Sequence, residues 1–423
     1  MRRLAPWLGP LIVLLIELPL IWTTPHVGEW FVFWYVGHLV ATGATPYDPA
    51  NWAAATTDYG PVAHGLAINT ANGLDISALP VDSRWIWPPI VGLVLAPFGA
   101  FPLEVGIPLL HVATIVVAIA STIALVRVLA PPAVRPLALA LLFASPSLVQ
   151  PMRAATMTIL VLPGIALLFA ALRNASAWRL AVAGFAVAVR PQLFLISLPF
   201  VLSAFVRRGA RRTLAISALL WTVANAIAFA LSPVPLDPRL LDAARAFTLQ
   251  DNSSTWRLAY ELAPDAILPV VVMLVAMGAA LAAVAVRRAG PGQREEVLVA
   301  AALALAIAVV PYVHTYDHLA LFPIWLLGLR AAAGTAGAGR LAIGGAVVTV
   351  ALGFAWSAYL VGAAGTRAAA GVTPFLALGV LALTSARVAT DGHEPAAHSA
   401  TAPADHGDRS HAVLGDREQR PHR

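Results

Sequence analysis

Apolar runs recur along the whole chain, many of them about 17–25 residues long and separated by short polar breaks. A run of that length rises far enough as a helix to cross a hydrocarbon core of about 30 Å. None shows the alternation over about ten residues that a lipid-facing barrel strand needs. The pattern therefore predicts an all-α polytopic membrane protein. Thirteen apolar segments follow one another from Leu8 to Ser385. One of them, Pro88 to Phe101, is short and interrupted by proline, so it reads as a re-entrant or half helix rather than a crossing. That leaves a bundle of about twelve transmembrane helices.

Polar residues gather in few places. The longest polar stretch before the tail, Pro25 to Pro89, carries Glu29, Asp48, Asp58, Asp75 and Asp82 together with six of the twelve tryptophans, counted from Trp22. Its opening, Glu29 to Thr42, is rich in aromatics and reads as an amphipathic helix lying in the interface plane. From residue 387 the composition turns to Asp, Glu, His, Arg and Pro, as expected of a disordered cytoplasmic tail. The domain reading is one transmembrane unit over 1–386, with external loops at about 25–102 and 232–265, and a tail over 387–423.

Composition agrees with the class and narrows it. Hydrophobic residues make up 59% and charged ones 11%, against about 25% charged in soluble domains. The formal charge of +6 comes wholly from arginine, since there is no lysine. These arginines sit singly or in pairs at the ends of apolar runs, where the positive-inside rule puts them. A nucleic-acid partner is therefore not indicated. With Arg207, Arg208, Arg211, Arg212, Arg287 and Arg288 facing the cytoplasm, both termini are expected inside a bacterial inner membrane. The absence of cysteine excludes disulfides and thiolate chemistry. Arg2 and Arg3 before Leu8–Trp22 resemble a signal peptide, but no small-residue cleavage site follows, so an uncleaved first span is expected.

On this topology four polar clusters share the external side. They are Glu29 with its aromatic neighbours, Arg190-Pro191-Gln192, Gln250 to Ser254 with Arg257, and Tyr312 to His318. Carboxylate, cations and aromatics together suit sugar transfer from a lipid phosphate. A carboxylate takes the acceptor's proton, donors stabilise the leaving phosphate, and polar or aromatic surfaces hold the sugar. Glu29 fits the first role, with Asp48 and Asp58 as rivals. Arg190, Arg257 and His318 fit the second, arginine because its planar fork matches phosphate oxygens. Tyr35, Asn252, His314 and Asp317 fit the third. The bland alternatives are a solvated helix cap at Glu29 and a snorkelling helix end at Arg190. His314 and His318 are four apart and would share an α-helical face, a spacing that can ligate zinc; no third ligand accompanies them, and no metal or cofactor is expected. A transporter or lipid flippase is the rival class, kept open by Glu17 and Arg153 inside apolar runs.

Four stretches also carry a family resemblance. They are Glu29-Trp30 with Trp34-Tyr35, Gly43 and Tyr47-Asp48-Pro49; Trp87-Pro88-Pro89 with Ala96-Pro97; Arg190-Pro191-Gln192 before Arg207-Arg208; and Thr315-Tyr316-Asp317-His318 running into Leu321-Phe322-Pro323. Together, from about Trp22 to Leu329, they resemble glycosyltransferase family 87, polyprenol-phosphate-mannose-dependent alpha-mannosyltransferases of the GT-C class. The resemblance implies a GT-C-like bundle with a long first external loop. It also implies inverting transfer of mannose or a related hexose from a polyprenyl-phosphate donor to a glycolipid or polysaccharide acceptor outside the membrane. The family's catalytic aspartate falls on Glu29, its Lys-Pro motif on Arg190-Pro191, and its Ser-Trp-x-His stretch on Thr315 to His318. Its central Gly-Gln pair falls near Ala155-Thr156 and is missing.

Overall fold

The computed structural model describes residues 5–23, 27–48, 50–52, 54–55, 57–59, 87–154, 156–232, 253–311, 313–363 and 368–385. Among them every regular element is helical. The helices are α1 (Leu8–Thr23), α2 (Val27–Ala41), α3 (Pro89–Gly99), α4 (Leu103–Leu129), α5 (Arg135–Phe143) and α6 (Pro146–Ala154). Next come α7 (Val161–Asn174), α8 (Ala177–Ala183), α9 (Phe185–Val189), α10 (Pro191–Arg207), α11 (Arg211–Leu231) and α12 (Thr255–Leu262). The last are α13 (Ile267–Arg288), α14 (Arg294–Val309), α15 (Phe322–Gly334), α16 (Gly337–Val348), α17 (Ala355–Ala363) and α18 (Thr373–Ser385). Two 3-10 turns matter below, Met157–Leu160 ahead of α7 and Thr315–Leu321 ahead of α15.

Among the described residues six helical stretches are long and apolar enough to cross a bilayer, and a seventh if α5 and α6 count as one span bent by 52°. The chain is thus an all-helical, multi-pass membrane protein. Several segments expected to be single rods are broken instead. The run Pro136 to Val149 bends between α5 and α6, where Ser145 and Pro146 interrupt the hydrogen-bond ladder. Trp178 to Val189 splits into α8 and α9 at Gly184, where a Cβ would lie 3.0 Å from the carbonyl oxygen of Ala181 and 3.3 Å from the Trp221 ring. The stretch Thr349–Phe354 between α16 and α17 is π-helical. It belongs to the helix on which Trp356 Nε1 donates to the carbonyl of Ala144 at 2.7 Å, an otherwise open acceptor at the end of α5.

The α14 helix is the central post, with Val297, Val299 through Ala304 and Ala306 through Ala308 all buried. It packs on α10, α13 and α18. By contrast α11 and α13 bury little of their surface and present large apolar side chains outward, among them Leu219, Leu231, Val272 and Met273. Those are the faces expected to meet lipid.

The expectation of an interfacial helix after Glu29 is corrected. Trp30, Phe31, Phe33, Trp34, Tyr35, Val36 and Leu39 are all buried, so α2 has no face left for solvent or lipid headgroups. At 100° per residue the aromatics at 30, 31, 33, 34 and 35 together with Val36 and Leu39 surround the axis with no gap wider than about 60°, and a helix apolar all round goes inside. Its partner is α3, whose 11 residues rise only about 16 Å at 1.5 Å per residue. The crossing is tight because a Cβ on Gly99 would lie 1.9 Å from the backbone nitrogen of His38. Cross-links fix it: Trp34 Nε1 donates to the carbonyl of Phe101 at 3.1 Å, and His38 Nδ1 lies 3.1 Å from that of Gly99.

Side-chain bonds gather the helix ends into two polar levels. At one, Arg173 from the end of α7 and Arg330 from α15 both grip Glu296 at the start of α14, at 2.6 and 2.8 Å. There Arg208 from the end of α10 lies 3.7 Å from Glu295 and donates to the carbonyl of Leu172. Arg173 also donates to the carbonyl of Val128 at the end of α4. The opposite ends of α7, α10, α14 and α15 carry the second level, where the candidate chemistry lies. The tail over 387–423 and the first loop between 60 and 86 lie outside the described residues.

Candidate functional site

Arg190 stands at the break between α9 and α10, with Pro191 opening the next helix. Proline is tolerated at that first position, where a backbone N–H has no helical partner anyway. The break turns the Arg190 side chain into the protein, where it is 8% exposed. Its Nε and Nη2 both donate to Thr158 Oγ1, at 2.8 and 2.5 Å, and Thr158 lies on the 3-10 turn before α7. Nε is also 3.0 Å from Asp317 Oδ1. The single Nε hydrogen points at Thr158, so Asp317 Oδ1 faces Arg190 as a charge partner without a hydrogen bond of its own. Asp317 Oδ2 accepts the backbone N–H of His314 at 2.8 Å, which caps the 3-10 turn Thr315–Leu321. The guanidinium carbon lies 5.3 Å from the Tyr316 ring centroid, a cation–π distance.

The second polar loop reaches the same place. Ser253 donates its backbone N–H to the carbonyl of Val313 at 2.7 Å, and its hydroxyl meets that of Thr315 at 3.0 Å. Trp256 Nε1 donates to the carbonyl of Val309 at 2.9 Å. The first loop is tied in through Trp87, whose Nε1 donates to the carbonyl of Val189, next to Arg190, at 3.1 Å. Tyr47 in turn donates to the carbonyl of Trp87 at 2.5 Å. Three stretches distant in sequence therefore converge on one cluster.

The residues singled out by sequence fare differently. Arg190, Asp317 and His318 fall in or beside the cluster. His318 is 3% exposed and its Nε2 has no hydrogen-bond partner among the described residues. Burial lowers its pKa to about 4, so it sits there as a neutral imidazole, able to hydrogen-bond but carrying no charge. His314 is half-buried and its ring lies 4.7 Å from that of Tyr316. The expected shared face for His314 and His318 does not form. His314 lies outside the turn as its cap, and at three residues per turn positions four apart diverge by about 120°. Among the described residues no group of three potential metal ligands occurs.

Arg257, on α12, pairs with Glu261 at 2.8 Å and lies 5.5 Å from the Tyr260 ring centroid. The Tyr35 hydroxyl donates to the carbonyl of Asn51 at 2.6 Å, and its ring is packed among Phe31, Trp52 and Tyr59. Asp48 is exposed and accepts the backbone N–H of Ala50 at 2.9 Å. Glu29 occupies the first turn of α2; its side chain, like Asn252, lies outside the described residues. The next residue, Trp30, packs 4.2 Å from His111, whose Nε2 meets the carbonyl of Met152 on α6 at 3.2 Å. Since α6 packs on the 3-10 turn bearing Asp317, the start of α2 is three contacts from the cluster.

Sequence reasoning missed Thr158. Its only signal was a hydroxyl between Met157 and Ile159 at the head of an apolar run, which gave no reason to pair it with Arg190, 32 positions away.

The model of glycosyltransferase family 87 matches residues 85–313, more than half of the chain and including Trp87, Thr158, Arg190 and Arg257. No curated protein and no solved structure matches the chain.

Proposed function

The chain belongs to glycosyltransferase family 87, and from that premise we propose that this membrane glycosyltransferase moves mannose, or a related hexose, from a polyprenyl phosphate to a glycolipid or polysaccharide hydroxyl. The observation that carries the reading is the buried Arg190–Asp317–Thr158 cluster at the end of the bundle away from the Glu296 arginines. By the positive-inside rule the arginine-rich end is cytoplasmic. On this reading the reaction runs on the external face of a bacterial inner membrane, with both termini inside.

In this mechanism a first-loop carboxylate takes the proton of the acceptor hydroxyl. The acceptor oxygen forms a bond to the anomeric carbon as the bond from that carbon to the phosphate oxygen breaks, inverting the centre. The electron pair leaves with the polyprenyl phosphate. Glu29 is the base, and Asp48, exposed at the next turn, is its rival. Arg190, held rigid by Thr158 and Asp317, and Arg257 from the second loop supply donors for the developing charge. His318 adds a hydrogen bond, and Tyr35, Asn252, His314 and Asp317 shape the sugar and acceptor side. The donor needs no metal in this scheme, since the lipid phosphate is itself the leaving group.

The test is incubation of the purified protein with radiolabelled polyprenyl-phosphate-mannose and a membrane glycolipid extract. Wild type should transfer label to lipid, and Glu29→Gln should lower the rate by about 10²–10⁴-fold, the usual worth of a positioned general base. Unchanged transfer in Glu29→Gln with loss in Asp48→Asn would move the base to Asp48.

A further inference from the structure

Side-chain polar atoms buried without a hydrogen-bond partner are few in folded proteins, because the desolvation they suffer is not repaid. Among the described residues ten side chains carry one, and four of these lie on elements that pack together at a single junction: Gln150, Thr156, Asp317 and His318. Gln150 is on α6, and Thr156 joins α6 to the 3-10 turn Met157–Leu160. Asp317 and His318 are on the turn Thr315–Leu321, which packs on both α6 and the other turn. Thr156, Asp317 and His318 are each less than 5% exposed.

The chemistry of the set says what it suits. An anion calls for donors alone, and a metal ion for lone pairs alone. Here the Gln150 Oε1 atom accepts, Asp317 Oδ1 also accepts while ion-paired with Arg190, the Thr156 hydroxyl donates and accepts, and the neutral His318 ring offers Nε2 as donor or acceptor according to its tautomer. Groups that match such a mixture are hydroxyls, which donate and accept at once. We propose that α6 and the two 3-10 turns form the subsite for the ring hydroxyls of the transferred sugar, with Thr156 and Gln150 as its specificity-determining residues. This rests on the donor reading above and specifies which part of the chain holds the sugar rather than the phosphate. A site built to pair a substrate hydroxyl discriminates strongly against the analogue lacking it, because its own buried groups are then left unpaired.

The experiment uses the full chain in lipid nanodiscs with polyprenyl-phosphate-mannose and its monodeoxy analogues. Thr156→Val should raise the donor KM about tenfold, the worth of one hydrogen bond to a neutral group, with a smaller change in kcat. It should also stop discriminating between mannose and one of the monodeoxy donors, and Thr156→Ser should restore both. The thermal midpoint of Thr156→Val without donor should hold or rise, since a hydroxyl without a partner has been removed. A merely structural role would lower it and leave the donor discrimination intact. Should Thr156→Val not fold, Gln150→Met, at a half-buried position, carries the same comparison. Wild-type transfer with unaltered KM and discrimination in the variants overturns the subsite alone. A wild type that transfers from none of these donors overturns the donor reading and the assigned ligand with it.

Discussion

At Arg190 a guanidinium has been brought out of water against a carboxylate that is 1% exposed. A buried pair of this kind is poor evidence for stability as such, but removing one member strands the other, at about 3–5 kcal/mol. Asp317→Ala should therefore lower the unfolding free energy by roughly that amount. The double change Arg190→Met with Asp317→Ala should recover much of it, a coupling read from a double-mutant cycle in detergent. Additive losses would mean that the two side chains do not depend on each other. Arg190→Lys keeps the charge but gives up the two-nitrogen grip on Thr158, so it should lose activity while the fold survives.

The neighbouring histidine gives a pH signature. His318 has its pKa lowered from 6.5 to about 4, so between those values the unfolded chain binds a proton that the folded one does not. Stability is then full above pH 6.5 and declines as pH falls toward 4, by up to about 3 kcal/mol. His318→Asn should flatten that limb of a plot of thermal midpoint against pH. A midpoint of the wild type indifferent to pH over this range would contradict the burial of the ring. Arg190, Asp317 and His318 could be singled out from sequence because ionisable groups are conspicuous in apolar surroundings. Thr158 could not, since a lone threonine in an apolar run commonly bonds its own helix backbone, and only the fold aims it elsewhere.

Individual helices show what periodicity conveys and what it leaves out. The apolar runs announced helices almost everywhere they occur, yet the candidate site lies where rods break. Arg190 sits at the α9–α10 break, and both 3-10 turns sit at helix ends. Length and hydrophobicity read each run as a rod, whereas breaks depend on whether a neighbour accepts the freed backbone groups. The α2–α3 crossing makes the same point, because its glycines were unremarkable in sequence. A Cβ on Gly99 would lie 1.9 Å from the nitrogen of His38 and 2.0 Å from the carbonyl carbon of Gly37. Gly99→Ala must therefore push two backbones apart, and should cost at least the 1–3 kcal/mol typical of overpacking. The contrast is Gly345→Ala in α16, where nothing lies within 4 Å; there alanine should stabilise by up to about 1 kcal/mol. Opposite shifts in thermal midpoint are the expected result, and equal shifts would refute the close crossing.

Across the whole molecule the charge is divided between two ends that do different things. At one, Glu296 is 3% exposed and holds Arg173 and Arg330, while Arg208 reaches Glu295 and the carbonyl of Leu172. Those bonds gather the ends of α4, α7, α10, α14 and α15. The arginines were legible beforehand, since their clustering at the ends of apolar runs marks one side of the membrane. The glutamates were not, because two carboxylates at the start of an apolar run look like ordinary first-turn acids that suit the helix dipole. Only packing reveals that Glu296 is the centre of the clamp. Removing it leaves two arginines facing each other with their shared counter-charge gone, and Glu296→Gln should cost about 3–5 kcal/mol of stability. Because the clamp lies at the end opposite Arg190, the protein that remains folded should keep its turnover number. Sugar transfer measured per folded molecule, after thermal titration of each preparation, separates the two quantities. A fall in kcat at an unchanged thermal midpoint would mean that the arginine-rich end governs the geometry of the Arg190 cluster through α10 and α14, and the division of labour between the ends would have to be abandoned.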